Sequence, residues 1–116
     1  MPSYYPQQGD IIYVNCNPQA GHEQAGRRPA VVVSNRAFHQ YTNGFAIICP
    51  VTNTKRAFPL HVPLDERSKT TGVILCEQVK SLDMTAREAE FREVLPRDLL
   101  QDVLERIALS LESDWL

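Results

Sequence analysis

The residue pattern predicts a mainly β protein with α: an antiparallel, barrel-like sheet with short helices and a C-terminal amphipathic helix, in a single domain over residues 1–116. Three observations carry that expectation. Short apolar runs rich in β-branched residues follow one another through most of the chain, too short to be helices. Each is set off by Gly, Pro, Asn or Thr, which suits closely spaced turns. From Pro96 onward the apolar residues change to helical spacing.

Taken in order, DIIYVN from Asp10 reads as the first strand, with Gly9 before it and Asn17-Pro18 after it. RPAVVVSN and GFAIICPV follow. Their runs AVVV and FAIIC are continuous rather than alternating, which predicts central strands covered on both faces. The segment around His39 reads as a polar connection that leaves this histidine on the surface. PLHVPL reads as a short strand with His61 at the surface, and GVILCEQVKSL as one longer strand on which Gln78 and Lys80 share a face. EAEFREVL alternates, as a half-exposed strand near the end of the sheet does. In PRDLLQDVLERIALSL, Leu99, Leu100, Val103, Leu104, Ile107 and Leu111 form one helical stripe. Pro96 suits the first helical position and Asp98 the positive end of the helix dipole. Trp115 is expected to anchor the tail, Phe58 to plug the core, and Tyr13 to pack in the core or against a second subunit.

Composition excludes several classes of function. A chain of 116 residues with 43% hydrophobic content can bury one core. The net charge of −2 and pI near 5.9 exclude a generally basic coat, so a polyanion must be met by a local cluster of cations. No apolar run approaches the roughly 20 residues that cross a bilayer, and MPSYYPQQGD lacks the basic and apolar parts of a signal peptide. A soluble, cytoplasmic protein is expected. Cys16, Cys49 and Cys76 are widely spaced, with no C-x-x-C pair, which argues against disulfides and zinc and for buried structural thiols.

The stretch GHEQAGRRPAVVVSN places Arg27 and Arg28 at the mouth of a buried strand. Pro29 biases Arg28 toward extended backbone, from which its planar donor fork can address a phosphate. The doubled arginine reads as an anion clamp. Thr52, after Pro50 and Val51 at a strand end, offers a hydroxyl to a phosphate oxygen. Glu23 suits either a general base or a carboxylate that holds Arg27 and Arg28 in place. Arginine keeps its proton near neutral pH, so a base must come from Glu23, His22 or water. His22, Gln24, Arg27, Lys55, Arg56, Gln78 and Lys80 are candidate contacts to a polyanion, with Phe58 among the loop cations as in single-strand binding. Taken singly, each has a plainer reading: a solvated arginine pair, a strand-end cap, a loop histidine, a partly exposed sheet face.

Together, GDIIYVN, NPQAGHEQAGRRPAVVVSN, CPVTN and CEQVKSLD, ahead of a terminal amphipathic helix, resemble the MazF/PemK family of bacterial toxins over nearly the whole chain. The resemblance implies an SH3-like barrel, a homodimer, and a metal-independent endoribonuclease without cofactor. Such an enzyme cuts single-stranded RNA at a specific sequence and is neutralised by a cognate antitoxin. It assigns catalysis to the positions of Arg28 and Thr52 and places Glu23 in the same motif. His22 departs from the serine common there. Two alternatives remain open: a gyrase-directed toxin of the same barrel fold, and a non-catalytic barrel that binds RNA or a partner. The retained Arg28, Thr52 and Glu23 favour the nuclease, because a pure binding surface has no need of them.

Overall fold

Backbone pairing is organised around one strand, β3 (Phe45–Thr52), in a computed structural model that describes residues 4–17, 20–54 and 58–115. Lys55 and Arg56 lie outside the described residues. On one side β3 pairs antiparallel with β2 (Arg27–Val32), which pairs in turn with β1 (Asp10–Asn15). On its other side, the C-terminal end of β3 pairs with β5 (Val73–Leu75) and its N-terminal end with β6 (Lys80–Asp83). β4 (His61–Pro63) extends the sheet beyond β5, and β7 (Glu90–Val94) extends it beyond β1. The sheet thus has the antiparallel, mainly β character that the sequence predicts.

The continuous apolar runs fill two cores. Alternate residues of a strand point to opposite faces, so Ile11, Val31, Cys49 and Val51 enter one core while Ile12, Ala30, Val32 and Ile48 enter the other. The first core is covered by α2 (Arg97–Ser110), whose Val103 is fully buried and whose Leu99, Leu100, Leu104 and Ile107 pack around it. Pro96 is the cap residue with extended ψ, one position earlier than expected, and Asp98 stands in the first turn. Arg67 forks onto Asp65 and Asp98 (2.7 and 2.9 Å), joining the loop after β4 to the start of α2 and holding both carboxyls below the usual carboxylate range. The three cysteines are free and buried. The Cys76 thiol beside it, and burial, push Cys49 up, so it stays protonated at neutral pH.

Four expectations are corrected here. GVILCEQVKSL is two strands broken by a 3₁₀ turn, Cys76–Gln78. Val51 faces Ile74 on one side of the turn and Ile48 faces Lys80 on the other, so the register steps by the length of the turn. The segment around His39 is a helix, α1 (Arg36–Thr42), capped by Asn35 accepting from Phe38 N (3.0 Å) and ended by Asn43 in the left-handed region. His39 itself is 2% exposed, its Nε2 at 2.6 Å from Ser34 Oγ, and that hydroxyl also accepts from Ile47 N (2.8 Å). Trp115 is 95% exposed and anchors nothing in the described chain.

Two outcomes follow for stability. Ile11 is fully buried, so Ile11→Ala should cost about 2–5 kcal/mol in urea denaturation. Val94→Ala, at a position 65% exposed, should stay within about 0.5 kcal/mol. His39 is held below the ordinary histidine value by burial, with Asp10 and the Pro6 backbone acting the other way. As pH falls through the unfolded value near 6.5, the unfolded chain takes up the proton first, so stability is lost until the folded value is reached. His39→Gln should flatten that slope between about pH 7 and 5 when urea midpoints are compared across pH.

Candidate active site

Strand alternation decides which candidates can meet. The β2–β3 ladder ends at Ala30 opposite Pro50; two residues beyond it on each strand lie Arg28 and Thr52, on the same face by alternation. Thr52 is in turn opposite Val73, and Val73 opposite Pro63, so Leu75 and His61, each two residues along, share that face. The intervening Val51, Ile74 and Val62 point the other way, into the core beneath α2.

This face carries a cleft of about 380 Å³. Thr52 and Thr54 form one wall, His61, Leu75 and Glu77 another, and Gln78 with the His22–Gln24 loop closes the third side. The loop is held by Gln78, whose Oε1 accepts from Gln24 N (2.9 Å) and whose Nε2 donates to His22 O (3.3 Å). Arg28 is half-buried at the strand mouth, donating through Nε to Ala25 O (2.8 Å) and through Nη1 to Val51 O (3.5 Å). These tethers hold the guanidinium at the Val51 carbonyl, one residue before Thr52, although Arg28 is not among the residues lining the cleft. The Thr52 hydroxyl accepts from Thr54 N at 3.3 Å, which leaves its proton for another acceptor.

Several sequence-derived candidates separate from this group. Arg27 and Arg28 do not form a clamp, because consecutive strand residues face opposite sides. Arg27 pairs with Glu90, donates to Glu88 O (2.8 Å) and lies over the Tyr13 ring, with Arg92 on the same ring at 4.1 Å. Tyr13 is accordingly half-buried at the edge of a second cleft of about 560 Å³, on the other face, rather than in the core. Glu23 does not hold either arginine: its Oε1 accepts from Ala20 N (3.2 Å) in an exposed turn. Lys80 does not continue the strand of Gln78, because the 3₁₀ turn intervenes, but it lies opposite Ile48 on the face that Arg28 shares, and both cations act on the Cys16 thiol.

One residue expected at the surface, His61, and one that carried no expectation, Glu77, belong to the site region. His61 is part of the cleft wall, its Nε2 3.0 Å from Glu77 Oε2, and its ring packs on Phe58 with centroids 4.9 Å apart. Phe58 is exposed rather than a core plug. Glu77 gave no signal in sequence, because GVILCEQVKSL reads as unbroken strand. Among the described residues no group of three or more His, Cys, Asp or Glu side chains is gathered to hold a metal ion.

Residues 7–111 match the family described as PemK-like, MazF-like toxin of type II toxin-antitoxin system. The chain belongs to that family. Among its PemK/MazF relatives, Endoribonuclease PemK of Escherichia coli is 37% identical over 106 residues, covering 88% of this chain and 79% of the relative. The crystal structure of MazF from Deinococcus radiodurans superposes with a TM-score of 0.87 at 38% identity, covering 94% of this chain and 98% of that one. A MazE–MazF structure from the same organism gives a TM-score of 0.81 at 36% identity, covering 93% of this chain and 97% of that one. Among the described residues, no helix of this PemK/MazF chain is long and apolar enough to cross a membrane.

One glycine holds the Thr52 wall in place. Gly72 has φ 119°, and a Cβ there would collide with the Thr52 carbonyl, whereas Gly44, also at φ 119°, has open space around it. Both alanine variants incur the backbone penalty of roughly 1–3 kcal/mol. Gly72→Ala should be less stable than Gly44→Ala by a further 1 kcal/mol or so in urea denaturation, and should shift the Thr54 and Val73 amide resonances.

Proposed function

We propose that this toxin is a sequence-specific, metal-independent endoribonuclease that cuts single-stranded RNA by attack of a 2′-hydroxyl on the adjacent phosphorus. The products are a 2′,3′-cyclic phosphate and a 5′-hydroxyl, and loss of mRNA halts translation and growth. The observation that carries this reading is that Arg28 reaches the Val51 carbonyl at the end of β3, next to Thr52, which lines a cleft of nucleotide size. In-line attack adds negative charge to the phosphate oxygens. A fixed guanidinium that stays charged, and a hydroxyl donor one strand away, are suited to receive that charge without rearranging. The 2′-hydroxyl proton passes to His22, which lines the cleft, or to water, and as the P–O5′ bond breaks the leaving 5′-oxygen takes a proton from that same group or from water; Glu23 is turned toward Ala20 N and does not line the cleft.

A cognate antitoxin and a second copy of the chain complete the functional unit in the bacterial cytoplasm. The MazE–MazF complex of D. radiodurans supports the antitoxin. For the homodimer, the support is an apolar groove of about 410 Å³ beside α2, formed by Val33, Ile47, Val79, Leu104, Ile107 and Leu111.

The test is cleavage of a long single-stranded RNA by purified protein in excess EDTA. Wild type should cut at a short shared sequence, leaving cyclic phosphate ends. Arg28→Ala and Thr52→Ala should each lower the rate by about 10²–10³ with folding retained. Uncut RNA with folded wild type, or variants that cut at the wild-type rate, would overturn the reading.

A further inference from the structure

Glu77 is an unexpected residue to find in a cleft that takes a polyanion. An ionised carboxylate only accepts hydrogen bonds and repels phosphate. It is nevertheless fixed there, with Oε2 3.0 Å from His61 Nε2, and Oε1 is the acceptor left on offer. His61 is itself firmly mounted: its backbone N–H donates to Phe58 O (3.0 Å), and its ring packs on Phe58. The pair lies at the far end of the cleft from Thr52. β4 is two strands from β3, and strands are spaced about 4.8 Å apart, so His61 stands roughly 10–12 Å from Thr52 between backbones. That separation suits a nucleoside whose phosphate lies at Arg28 and Thr52 and whose base reaches the opposite wall.

Resting on the reading that this cleft holds RNA, we propose that Glu77, steadied by His61, reads one nucleobase beside the scissile phosphate and selects bases with an exocyclic amino group over uracil. Adenine, cytosine and guanine each present an amino N–H to Oε1. Uracil flanks its one N–H with two carbonyl oxygens, which face the carboxylate with like charge. At the base end, Glu77 turns its charge into discrimination and stays clear of the phosphate end.

The experiment compares wild type, Glu77→Gln and His61→Gln. Cuts are mapped on a long RNA of defined sequence. Next, kcat/KM is measured on short oligonucleotides substituted with each base at each position flanking the cut. Wild type should disfavour uracil about tenfold or more at one position. Glu77→Gln, whose amide both donates and accepts, should accept uracil there within about threefold, with every other position unchanged. His61→Gln should loosen the same position less. A pair with only a structural role would lower the rate on all substrates alike, so Glu77→Gln with all preferences intact overturns the proposal, as does wild type indifferent to uracil at every position. Wild type that cuts no RNA removes the nuclease reading as well, so the two failures are distinguishable.

Discussion

The ladder of hydrogen bonds on both edges of β3 is the constraint from which the rest of the molecule follows. Because β3 pairs with β2 on one side and with β5 and β6 on the other, its side chains have no solvent-facing flank until the strand ends. Period-two alternation then commits Ala46 and Ile48 to one core and Cys49 and Val51, with the half-buried Ile47, to the other. A slip of one residue would exchange the two cores and turn Thr52 away from Arg28. The pairing that holds the fold together is therefore also what brings the two proposed catalytic groups to one face.

Charge is distributed by the same alternation. Arg27 and Arg28 are neighbours in sequence yet serve opposite faces, one spent on Glu90 and the Tyr13 ring, the other aimed at the end of β3. A chain with net charge −2 thus presents a local cation without a basic surface. Arg28 is held by two carbonyl oxygens rather than by a carboxylate, so no side-chain anion offsets its charge.

Most of the fold was legible in sequence, and the reasons can be given residue by residue. AVVV and FAIIC read as doubly covered strands because no polar residue interrupts them, and α2 was plain from a stripe spanning Leu99 to Leu111. The 3₁₀ turn was hidden because Cys76, Glu77 and Gln78 carry no Gly or Pro, and only the ladder on β3 reveals the extra three residues. α1 was overlooked although Asn35 and Asn43-Gly44 mark both its ends, since its seven residues show no apolar stripe. Of the site, Arg28, Thr52, Gln24 and Gln78 were legible from the motif. The part played by His61 and Glu77 was not, because it arises from two short strands meeting across the sheet, a relation that local pattern does not encode.

The turn at Cys76–Gln78 also bears on how such a toxin can diversify. Its three residues are looped out of the ladder, so the strand pairs on either side keep their hydrogen bonds whatever side chains the turn carries at its outward positions. Cys76 faces the core and is bound by packing, whereas Glu77 and Gln78 face the cleft. Exchange of Glu77 therefore leaves the ladder intact, whereas exchange of Gln78 releases the His22–Gln24 loop, so the cleft wall can be altered apart from the fold at one position and not at its neighbour.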